Sequence, residues 1–278
     1  MNAFLFLLPA GFGLVLLFWS AGSAWNRYTR EKIELISQPS TSPGATVNLD
    51  QVNALPPLLK KYFHLVLEDG APIIQRASLT QTGGFRSGPG MKGWSNMRAR
   101  QVFSCQPRGF VWDAAITIFP GFSIRVCDTY IAGCGGIRVK LLALFSMIHA
   151  QHRRELDESA LQRYLAEAVW FPTALLPSQG VHWKALDEHH AEATLRDGAI
   201  TTALQFEFND DGEIVSVYTP ARFREVKGQF IPTPWKGRLS NYIRVGHYRI
   251  PQQGEVEWHL NDRVYPYWKA SLKEINYD

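Results

Sequence analysis

Cysteine is scarce in this chain: Cys105, Cys127 and Cys134 are three among 278 residues. Three cysteines make no disulfide framework, so the fold must rest on its own core, and the redox compartment stays open. Charge is sparse too, at 19% of residues, and Lys and Arg are scattered among Asp and Glu. A net charge of +4 without a basic stripe argues against a nucleic-acid partner. Signatures of known chemistry are also lacking. Neither Gly83-Gly84 nor Gly133–Gly136 runs on to the Gly-Lys-Ser/Thr ending of a phosphate loop, and there is no G-x-S-x-G elbow. His149-x-x-His152 and His189-His190 have no nearby cysteine to complete a ligand set. Asn209-Asp210-Asp211-Gly212 reads as a hairpin turn, not a calcium loop. No metal and no cofactor are expected.

Aromatic residues are abundant, at 13%, and the nine Trp are spread along the chain. The N-terminus supplies the one long apolar run. Residues 3–25 carry no charge and match the roughly 20 residues that cross a bilayer, with Trp19 and Trp25 near one end as interfacial anchors. Residues 1–25 are therefore read as a transmembrane anchor, with a cleaved signal peptide as the alternative. Arg27, Arg30 and Lys32 follow the run, which places the large domain in the cytoplasm by the positive-inside tendency. Residues 26–48 are read as a linker, on the strength of the Pro/Ser/Thr stretch SQPSTSPGAT, and residues 49–278 as the folded domain.

A short helix opens that domain, with Leu58, Leu59, Tyr62, Phe63 and Val66 on its apolar side. Residues 73–132 then alternate with period two in short segments bounded by Gly, Pro or Asp. IRVKLLALFSMI reads as a strand passing into a helix. The stretch from Leu156 to Asp187 follows, and within it Leu161, Tyr164, Leu165, Ala168 and Val169 mark one buried helical face. Pro172 ends that helix. Strands resume to the C-terminus, one face apolar and the other polar, with turns at Asp197-Gly198 and Asp211-Gly212. The expected fold is mainly β (α+β): a single curved antiparallel sheet or half-barrel with two or three helices on its concave face, preceded by the transmembrane helix.

Arg163 and Glu167 sit one helical turn apart, either as an exposed pair or at the mouth of the concavity. Trp112, Trp170 and Trp183 either pack the core or line an apolar cavity.

The motif R-x-L-x-E-x-x-W-x-P (Arg163, Leu165, Glu167, Trp170, Pro172), with YIAGCGGIRVKLLALF and FNDDGEIVSVYTPARFR, resembles a family of uncharacterised bacterial proteins known as a domain of unknown function. The strand–helix–strand layout is also similar to the half-barrel of the lipoprotein-localisation carriers LolA and LolB. That likeness implies an acyl-chain or other apolar ligand and an extracytoplasmic site at the cytoplasmic membrane, against the basic residues after the run. The expected role is a membrane-anchored binder of a lipid or other hydrophobic molecule. Arg163 and Glu167 would meet the polar head, and Trp170, Trp183 and Trp112 would form the wall. The alternative is an enzyme on a membrane-derived substrate, with Glu167 or Asp187 as general acid or base.

Overall fold

The computed structural model of the protein describes residues 4–37 and 44–278, and side chains from Leu16 through Ser37 and from Gly44 onward. Much of the charge-free run on which the span was expected therefore lies outside the described side chains, and most of the SQPSTSPGAT stretch lies outside the described residues.

Helix α1 covers Phe4–Ile36. The expected linker thus begins later than residue 26, because nothing between Trp25 and Ile36 breaks a helix: there is no proline and no glycine. Among the described residues no helix is long and apolar enough to cross a membrane. Helix α2, Pro57–Val66, starts on a proline whose missing amide hydrogen costs nothing in a first turn. Its Leu59, Tyr62, Phe63 and Val66 are buried, as the apolar spacing predicts.

Six strands follow: β1 (Arg76–Phe85), β2 (Ser95–Cys105), β3 (Arg108–Phe119), β4 (Phe122–Ile131), β5 (Cys134–Leu141) and β6 (Phe145–Gln151). The helix expected within IRVKLLALFSMI is absent; two strands join there at a turn where Leu142 and Ala143 both have positive φ. Helix α3 spans Arg154–Glu167 and passes into three short 3-10 turns, the second opening on Pro172. Seven more strands complete the chain: β7 (Val181–Ala185), β8 (His190–Asp197), β9 (Ile200–Phe208), β10 (Ile214–Val226), β11 (Gln229–Val245), β12 (Tyr248–Leu260) and β13 (Arg263–Tyr277).

All thirteen strands form one antiparallel sheet, ordered β6-β5-β4-β3-β2-β1-β13-β12-β11-β10-β9-β8-β7. Each half is a meander, and the pairing of β1 with β13 joins the halves. Strands β6 and β7 are the two edges, and α3 is the crossing between them. It packs on both β5 and β9, nine positions apart in the order. Flat, those strands would lie roughly 43 Å apart, while a helix of α3's length reaches roughly 21 Å. The sheet therefore curls around α3, and the inner face of the curl holds the main core. Gly135 allows the helix start to sit close: a Cβ there would meet Leu156 O at 2.5 Å, and its amide donates to Asp157 at 2.6 Å.

Helices α2 and α3 lie on the inner face as expected, but α1 does not. Its Ala21, Trp25 and Ile36 pack with Val111, Cys127 and Ala143 on the outer face of β3, β4 and the β5–β6 turn, a core separate from the main one. Alternation along β3 makes this plain: Phe110 and Trp112 face inward, and Val111 and Asp113 outward.

Candidate functional site

Between α3 and the inner face of the sheet lies a cavity of about 230 Å³. Its walls are mostly apolar. Strands β3 to β5 give Trp112, Val126 and Ile137, the second half of the sheet gives Val217, Trp235 and Trp268, and the 3-10 turn after α3 gives Val169 and Trp170. The last ring is fixed at its polar end, since Trp170 Nε1 donates to Pro251 O at 3.1 Å. A ring pinned in this way presents its apolar face with little rotamer freedom left to lose.

Polar groups gather on one wall. Arg163 Nε donates to Glu167 Oε1 at 2.9 Å, and its Nη1 donates to Asp128 Oδ2. Glu167 Oε2 accepts from Gln101 Nε2 at 2.7 Å. The Arg163 guanidinium also lies 4.9 Å from the ring centres of Phe110 and Trp112. The pair is not a free surface pair: it lies part-buried on the cavity wall, with each side chain 15% exposed. Burial opposes the charge on Arg163, but Glu167 and Asp128 outweigh it and raise its pKa. Burial holds Glu167 above the usual carboxylate range, and Arg163 and Gln101 offset this only in part. Each Glu167 oxygen accepts one hydrogen bond, from Arg163 and from Gln101, which holds the carboxyl in place on the cavity wall.

Of the residues singled out in the sequence, Arg163, Glu167, Trp170 and Trp112 come together on this cavity. Trp183 does not. Its ring packs on Phe206 and Phe63, 5.2 and 6.3 Å between centres, and its Nε1 donates to Leu175 O at 2.9 Å. Strand β7 is at the sheet edge, so Trp183 meets α2 and β9 instead. Asp187 is also elsewhere. It is exposed in the β7–β8 turn, where it accepts from the amides of His189 and His190, both at 2.8 Å, and from the His190 ring. Those contacts lower its pKa, the reverse of what an acid catalyst at neutral pH needs. Among the described residues no cluster of His, Cys, Asp and Glu is arranged to hold a metal ion.

Asp128, Arg222, Trp235 and Tyr267 complete the site without any local signal in the sequence. Arg222 lies in ARFREVK, which reads as an ordinary strand. Only the strand order, which brings β10 beneath α3, carries it to the cavity.

A family of unknown function, DUF6920, matches the chain over residues 53–277. No curated protein matches it. Among solved structures, the chain is similar to the crystal structure of a LolA superfamily protein from Nitrosomonas europaea, at 11% sequence identity and a TM-score of 0.42, over 78% of this chain and 90% of that one.

Proposed function

The chain belongs to the family of unknown function DUF6920, and from that premise, which brings no activity with it, we propose that the protein binds an apolar small molecule in the inner-face cavity while attached to a membrane by α1. The observation that carries the reading is the make-up of the cavity: mostly aromatic and aliphatic walls, with Arg163, Glu167, Asp128 and Arg222 clustered where α3 faces the sheet. Such a site takes a hydrophobic body and orients it by a polar end. Burial of the body supplies the affinity, at roughly 25 cal/mol per Å² of apolar surface.

Membrane attachment is supported by what lies at one end of the sheet. Ala21 packs in the outer-face core with Ala143, in the β5–β6 turn. N-terminal to that contact Leu16, Leu17, Phe18 and Trp19 are exposed. Beside it are the β3–β4 tip, where Phe119 and Phe122 lie 4.1 Å apart and exposed, and the start of β6, where Phe145 and Met147 are exposed. The amide of Leu142 donates to Ser123 O, which ties the two tips together. Together these form an apolar rim of the kind that enters a bilayer interface.

Native mass spectrometry of the full chain released from detergent, followed by solvent extraction, tests the reading. A stoichiometric amphiphile lost on denaturation is expected. A bare mass, with no saturable uptake of added decanoate or decanol, would overturn it.

A further inference from the structure

The cavity walls include three arginines, and their surroundings differ. Arg163 is held by Glu167 and Asp128. Arg238 pairs with Glu257 at 2.9 Å and is half exposed. Arg222 forms no ion pair among the described residues. Its Nη1 donates to Ser159 O at 2.7 Å, and its guanidinium stacks 5.3 Å from the centre of the Trp235 ring. A guanidinium carries five N–H groups, so most of this fork is uncommitted. Both nearby carboxylates, Asp128 and Glu167, already hold Arg163. Desolvation lowers the Arg222 pKa, as expected for a part-buried cation without a carboxylate of its own.

Tyr267 adds a second donor to the same wall. Its hydroxyl oxygen accepts from Trp235 Nε1 at 3.0 Å, which leaves the hydroxyl hydrogen to point elsewhere. Burial raises the pKa of this phenol, so it keeps that hydrogen. Arg222 and Tyr267 both line the cavity and both contact Trp235, one over its ring and one at its Nε1.

A cation drawn partly out of water without a counter-charge is costly, and the cost is removed if the counter-charge arrives with a ligand. Resting on the reading of the cavity above, we infer that the ligand is a single-chain amphiphile whose anionic head, a carboxylate or a phosphate, docks between Arg222 and Tyr267. A cavity of about 230 Å³ lies below the usual range of roughly 300–1,000 Å³ for ligand pockets, which fits one chain and not several.

Calorimetric titration of the full chain with decanoate, decyl phosphate and decanol tests this. Both anions should bind at least about tenfold tighter than decanol, the scale of one charge-assisted hydrogen bond, and the tighter anion identifies the head. Arg222→Gln should erase that advantage while decanol still binds saturably, which also shows that the variant folds. Tyr267→Phe should remove a smaller part of it. Saturable decanol binding with no preference for either anion would overturn the head-group assignment while leaving the cavity reading intact. An anion preference that survives Arg222→Gln would do the same. Failure of all three probes to bind would overturn the cavity reading, and this inference with it.

Discussion

Two charged hubs sit back to back on strands β3 and β4, and they are built in opposite ways. On the outer face one carboxylate, Asp113, accepts from two arginines, Arg100 Nε at 3.1 Å and Arg125 Nη2 at 3.0 Å, and from Trp25 Nε1 at 2.8 Å. On the inner face one guanidinium, Arg163, is shared by two carboxylates, Glu167 and Asp128. The outer hub is a latch: through Trp25, and through the bond from Arg100 Nη2 to Thr29 Oγ1, it fastens α1 to the sheet. The inner hub is a frame. It pins α3 to β4 and uses up both carboxylates, which leaves Arg222 unpaired at the cavity. The same two residue types thus close one face of the sheet and leave donors available on the other.

The largest effect should come from breaking the frame. Arg163→Met leaves two part-buried carboxylates, Glu167 and Asp128, without a counter-charge, a loss of about 3 kcal/mol, the lower end for a broken buried pair because both keep some contact with water. Asp113→Asn should cost less, about 1–3 kcal/mol, because the amide oxygen still accepts a hydrogen bond and Arg100, 49% exposed, can be hydrated. Urea denaturation of both variants followed by circular dichroism measures the difference. If Asp113→Asn proved the more damaging, the contrast between latch and frame would be wrong.

A smaller effect concerns pH. Glu167 has a raised pKa in the folded state, so the folded state holds its proton more tightly than the unfolded chain does. Its contribution to stability is complete below the ordinary value of 4.5 and is lost as pH rises through the higher folded value. The stability of wild type relative to Glu167→Gln should therefore fall as pH is raised from 4.5. The trend should steepen in an Arg163→Met background, where the main opposing charge is gone. Denaturation midpoints of the four proteins across that range check both slopes. A difference that grows with pH would mean that Arg163 outweighs burial at this carboxyl.

Much of this architecture is legible in the sequence, and the failures have local causes. Pro172 and the Leu161–Val169 spacing locate α3 because both signals act within a few residues. The hairpin joining β5 to β6 is hidden because its positive-φ positions are Leu142 and Ala143, where a turn reader expects Gly or Asn. The i, i+4 spacing shows that Arg163 meets Glu167 but not that both are part-buried on the cavity wall, since Asp128 and Gln101 reach them from strands far along the chain. Trp183 and Trp170 are the same residue type in similar company. What separates them is that β7 is a sheet edge while Trp170 lies in a turn over β12 and β13. Helix α1 takes the outer face because Val111, Asp113 and Cys127 offer a partly apolar, charged surface there, whereas a period-two reading assigns that face simply to water.

Photo-crosslinking with a decanoate analogue carrying a diazirine near its chain end, followed by peptide mapping, tests the central claim most directly. Label in the peptides that contain Val169–Trp170 and Trp235–Leu239, competed away by excess decanoate, is the predicted result. Label confined to the exposed apolar rim at Phe119–Phe122 and Phe145–Met147, with none on the inner face, would contradict it.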